Sequence, residues 1–145
     1  MSSPVQGRPR TALPTEPLPP RLRVGFLLVP RFTLVAFAGF VDALRLASEE
    51  GDRSQQRLCT WKILGEPDTH VPSSCGASIL VTDPLEHPEN YDYLVVVGGL
   101  LHGGQAVPAT HYRFLRQAAA QNVKLVGLCT GSFVLARAGL LEDHL

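Results

Sequence analysis

Val126-Gly127-Leu128-Cys129-Thr130-Gly131, continuing into Ser132-Phe133-Val134-Leu135-Ala136, is the stretch whose reading decides the fold. Lys124 to Leu128 is a short aliphatic run of strand type, and Phe133, Val134 and Leu135 open an apolar helical segment. Between them stands one nucleophilic residue in the form Gly-x-Cys-x-Gly. A tight strand-to-helix turn brings two backbones together and leaves no room for side chains beside an exposed nucleophile, so glycines on both sides are what such a turn requires. The pattern predicts a strand ending at Leu128, a sharp turn at Cys129 and a helix after it, with the thiol at the sheet edge.

Working outward, Tyr93 to Val97 (YLVVV) is a second strand running into Gly98-Gly99, and a helix is expected at roughly 108–121 between the two. Strand, helix, strand is the unit of a parallel sheet, and its crossover is right-handed. Gly98-Gly99 and Cys129 are therefore expected on one edge, the edge at which open α/β sheets bind ligands. There the amides of Gly99 and Thr130 can face a developing oxyanion, and the start of the helix that includes Gly131 favours an anionic thiolate at Cys129.

Upstream, Arg23 to Val29 (RVGFLLV) reads as a strand buried on both faces, stopped by Pro30. Thr33 can cap a helix in which Leu34, Phe37, Ala38, Val41 and Leu44 recur at helical spacing and which Gly51 stops. Leu58 to Leu64 (LCTWKIL) is a further strand, ended by the turn Gly65-Glu66-Pro67-Asp68, and residues 71–82 suit a small hairpin around Ser74-Cys75-Gly76-Ala77. Residues 1–20 hold six of the 12 prolines and read as a disordered leader before one α/β domain over residues 21–145.

Composition narrows the function. Thirteen basic and 13 acidic residues give no net charge, so this segment offers no field for nucleic acid or an anionic membrane. A net +3 over residues 1–23 is too dilute to change that. The apolar run Val24 to Val29, like the others in the chain, falls far short of the roughly 20 residues of a membrane span. Three cysteines, an odd number without a signal peptide, indicate reduced thiols and a cytoplasmic setting. The five histidines are scattered and neither CxxC, HExxH nor GxGxxG occurs, so no metal, nucleotide or other cofactor is expected.

The phrases VVVGG at 95–99 and GLCTGSFVLARAGLL at 127–141 resemble the DJ-1/PfpI, or class I glutamine amidotransferase-like, superfamily over residues 23–141. Within it, RVGFLLVPRFTLVAFAGFVDALRLA at 23–47 and CTGSFVLARAGLL look most like the N-terminal amidase-like domain of AraC-type transcriptional regulators. The resemblance implies a flavodoxin-like parallel sheet flanked by helices, with more strands and helices after residue 141, so that the chain reads as truncated at its C-terminal end. It also implies a helix-turn-helix DNA-binding domain that this chain does not contain.

Two departures from the superfamily bear on activity. Many of its enzymes carry an acid after the first strand, near the cysteine, and residues 30–37 contain none; protease-like members place His directly after the cysteine, where this chain has Thr130. A nucleophile without a base is a poor case for turnover. His102, in the loop beyond Gly98-Gly99, is the one histidine placed near this edge, and it reads either as a partner of Cys129 or as a solvated loop residue. Cys129 itself reads either as a reactive thiol or as a small buried residue at a strand end. The expected function is a sensing and homodimerising domain that binds a small polar metabolite near Cys129. The rival is an active cysteine hydrolase, hydratase or amidase on small amides or related carbon–nitrogen compounds.

Overall fold

A computed structural model describes residues 22–48, 58–100 and 107–141. The Pro-rich segment at 1–20, Gly51 and His102 lie outside the described residues. In chain order the elements are β1 (Leu22–Leu28), α1 (Leu34–Ser48), β2 (Cys59–Gly65), β3 (His70–Pro72), β4 (Ser78–Leu80), β5 (Asp83–Pro84), β6 (Tyr93–Val97), α2 (Ala109–Ala120), β7 (Lys124–Leu128) and α3 (Gly131–Arg137). The main sheet runs β5-β2-β1-β6-β7, parallel throughout, while β3 and β4 form the antiparallel hairpin expected at 71–82. β5 adds two residues, paired with Leu64 and Gly65, to the four strands legible in the sequence.

Position in this sheet explains the composition of each strand. β1 is central, paired with β2 on one side and β6 on the other, and its last five residues are buried. Because successive side chains alternate, Val24, Phe26 and Leu28 enter a core beneath α1 together with Val95 and Val97, while Leu27, Leu94 and Val96 face the opposite core with Phe114, Leu115 and Leu135 of α2 and α3. Both faces being covered, neither strand has a polar side to show. Phe37 stands edge-on to Phe26 at 5.2 Å and to Phe32 at 5.9 Å, which docks the first turn of α1 on the sheet. Ser48, fully buried at the end of α1, accepts the Leu58 and Cys59 amides at 3.2 and 3.3 Å, tying the helix to the start of β2.

The chain adds β2 on one side of β1 and then β6 on the other. This places a topological switch at the carboxyl ends of β1 and β6, where the two connections leave in opposite directions and open a crevice. β7 is less enclosed: its Leu125 to Leu128 are half-buried where Leu94 to Val97 of β6 are fully buried. It pairs with β6 alone among the described residues, and a groove of about 450 Å³ lined by Val123, Leu125, Leu135, Leu140 and Leu141 runs beside it.

Candidate functional site

Cys129 follows the last residue of β7 with φ at 54°, in the left-handed region that costs an L-residue about 1–2 kcal/mol. The turn is held there by its neighbours. The Gly98 N–H donates to the Leu128 carbonyl at 3.2 Å, and the Phe133 N–H to the Thr130 carbonyl at 3.0 Å. Gly131 lies so close to the Val96 carbonyl, and Gly98 so close to the Gly131 amide, that a Cβ on either would collide with backbone. The glycines of the motif thus serve close approach, as the sequence implied, and the residue left in the strained conformation is exposed. The reading of Cys129 as a buried strand-end residue is thereby set aside.

The neighbouring wall comes from the segment after β1. The Val29 N–H donates to Val97 and the Thr33 N–H to Gly98, both at 3.0 Å, so the chain crosses directly beneath the end of β6. Phe32, fully buried, pins it; on its other side the Arg31 N–H reaches the Pro72 carbonyl at 2.7 Å and the Ser74 N–H reaches the Phe32 carbonyl at 2.9 Å. Gly99 packs on the Arg31 carbonyl, leaving no space for a Cβ, and its own carbonyl accepts the Thr130 hydroxyl at 2.8 Å. Cys129, Gly98, Gly99, Thr130 and Gly131 are therefore brought together at one edge, as expected.

Thr33 was not foreseen as part of this edge. Read in the sequence as a helix cap, it accepts the Phe37 N–H through its carbonyl at 3.3 Å, but its hydroxyl is turned to Cys129 Sγ at 3.4 Å. Among the described residues this hydroxyl is the only hydrogen-bond partner of the thiol. The signal available beforehand was its place in the segment 30–37, where an acid is missing. A hydroxyl can donate to a thiolate or accept from a thiol, but it cannot take up the thiol's proton as a carboxylate or imidazole would.

The other two cysteines differ from each other. Cys59 is buried in β2. Cys75 is exposed in the β3–β4 turn, and the Ser73 hydroxyl at 3.2 Å, aided by the Ala77 backbone, holds its pKa below the ordinary thiol value. No group of three or more His, Cys, Asp or Glu side chains able to hold a metal ion occurs among the described residues.

An elbow cysteine over a parallel sheet with these glycines is matched by a known family: the model of the DJ-1/PfpI family fits residues 23–145. The chain belongs to the DJ-1/PfpI family. Among members and relatives, it is 36% identical over 132 residues to the HTH-type transcriptional regulator GbdR of Pseudomonas aeruginosa, a match covering 88% of this chain and 35% of that protein. It is also 32% identical over 121 residues to an isonitrile hydratase of Pseudomonas putida, covering 83% of this chain and 49% of the enzyme. A crystal structure of an AraC family transcriptional regulator from Pseudomonas putida superimposes with a TM-score of 0.66 at 28% identity, covering 84% of this chain and 63% of that one. This DJ-1/PfpI chain thus spans about a third of the length of the curated regulator it matches.

Proposed function

We propose that this DJ-1/PfpI chain is the sensing part of an AraC-type transcriptional regulator, taking a small polar metabolite at the edge formed by Cys129, Thr33, Gly98, Gly99 and Thr130. The observation that carries the reading is the neutral partner of the thiol: Thr33 Oγ1 stands 3.4 Å from Cys129 Sγ. An elbow that presents a thiol and a hydroxyl offers donors and acceptors for recognition, whereas turnover by the thiol needs a group to accept its proton. Similarity to GbdR and to the solved AraC family regulator supports the same reading. In the whole protein, DNA contact is assigned to a helix-turn-helix segment outside this chain, and the sensing domains pair as a homodimer.

The test is a panel of small amides and amino acids scored by thermal shift, with alkylation of Cys129 followed by peptide mass spectrometry. A ligand of this site raises the melting temperature, protects Cys129 from iodoacetamide and is recovered unchanged; a ligand at 100 times its Kd stabilises by about 2.7 kcal/mol. Cys129→Ala retains the thermal shift. The second reading, a cysteine-dependent hydratase or amidase, is favoured by the likeness to the isonitrile hydratase. Conversion of any panel member, abolished by Cys129→Ala, establishes that reading instead.

A further inference from the structure

A second cavity, of about 490 Å³, opens at the carboxyl end of β2 and shares no lining residue with the Cys129 edge. Gly65 forms its floor, Glu66 one side and the first turns of α2 the other, with Thr110, His111, Arg113 and Gln117; Leu85 and Phe114 add an apolar wall. Glu66 and Arg113 line the same cavity with opposite sign, yet among the described residues neither forms an ion pair. His111 sits between solvent and core, and burial lowers its pKa, so near neutral pH it adds a neutral hydrogen-bonding group to the lining.

We propose that this cavity binds a small zwitterion of the amino-acid type, its carboxylate toward Arg113, its ammonium toward Glu66 and an apolar side chain against Leu85 and Phe114. Guanidinium and carboxylate are the matching forks for such a molecule, and a ligand carrying both charges gains from both sides of the cavity at once. A singly charged analogue leaves one wall unanswered. The cavity volume also exceeds what glycine alone would fill, which is why the apolar wall enters the assignment.

The probe is L-leucine, titrated calorimetrically into the 145-residue chain beside its two single-charge analogues, 4-methylpentanoate and 3-methylbutylamine. Leucine is expected to bind at least tenfold more tightly than either analogue, and Glu66→Gln and Arg113→Gln each to weaken it at least tenfold. Both side chains are exposed, so both variants are expected to fold, which circular dichroism checks. Cys129→Ala and Thr33→Val leave leucine binding unchanged, and leucine does not protect Cys129 from alkylation; this separates the cavity from the proposed sensing edge. Absence of leucine binding at millimolar concentration overturns the proposal, as does equal binding of an analogue, indifference to both Glu66→Gln and Arg113→Gln, or loss of binding in Cys129→Ala.

Discussion

Thr33 and Cys129 are 96 positions apart in the chain, and their side chains meet at 3.4 Å across the carboxyl edge of the sheet. The contact exists because two independent turns are each fixed by backbone. Thr33 is held by its amide on Gly98, and Cys129 by glycines that let the elbow close against Val96 and Gly98. Neither residue selects the other locally; the parallel pairing of β1, β6 and β7 delivers both to one edge.

The strained backbone at Cys129 has a measurable cost. Because φ is 54°, glycine is better suited to that conformation than alanine, which retains the Cβ penalty. Cys129→Gly is expected to be more stable than Cys129→Ala by about 1 kcal/mol, read from urea unfolding midpoints at unchanged slope. Equal midpoints for the two variants would place the elbow in an unstrained conformation.

Glycines elsewhere should answer in opposite directions. At Gly131 an added methyl meets the Val96 carbonyl, so Gly131→Ala is expected to cost about 1–3 kcal/mol or more as the elbow is pushed off the sheet. Gly39 lies inside α1 with nothing within 4 Å of an added Cβ. Gly39→Ala is therefore expected to stabilise by about 0.5–1 kcal/mol through helix propensity alone. Thermal or urea unfolding of the pair reads both signs in one experiment.

Thiol reactivity separates exposure from context. Alkylation with iodoacetamide is expected to reach Cys129 and Cys75 well before buried Cys59. Cys75 competes with Cys129, because the Ser73 hydroxyl lowers its pKa and so enlarges its thiolate fraction at a given pH. Removing that donor by Ser73→Ala raises the Cys75 pKa, so the alkylation rate of Cys75 should reach half its maximum at higher pH than in the native chain, with Cys129 unaffected. An unchanged Cys75 profile would mean that the Ser73 contact does not form in solution.

How much was legible follows from the range of the interactions. β1, β6, β7 and the turn at Cys129 could be read because a buried parallel strand is a continuous apolar run and an elbow needs flanking glycines, both of which are properties of a few adjacent residues. β5 was not, since two residues paired on the end of β2 carry no periodicity. The second role of Thr33 was not legible because a threonine before an apolar helical run has the local form of a cap, while its hydroxyl answers to a residue brought in by tertiary structure. The cavity between Gly65 and α2 was invisible for the same reason: Glu66 and Arg113 belong to a turn and a helix that only the fold makes neighbours.

The side of β7 on which no described residue pairs gives the last expectation. A strand paired on one side presents alternate N–H and C=O groups outward, and here an apolar groove of about 450 Å³ lies beside it, lined in part by Leu140 and Leu141. Amide exchange in β7 should therefore be faster than in β6, whose neighbours occupy both sides. The same edge is the natural point of association for the 145-residue chain, because covering the groove removes apolar surface from water at about 25 cal/mol per Å². Sedimentation at rising protein concentration is expected to show self-association, and Leu141→Lys, a half-buried position at the rim of the groove, should reduce it by setting a charge where a second apolar surface would dock. A chain that stays monomeric at all concentrations, with β7 amides exchanging as slowly as those of β6, would show that this edge is covered in solution.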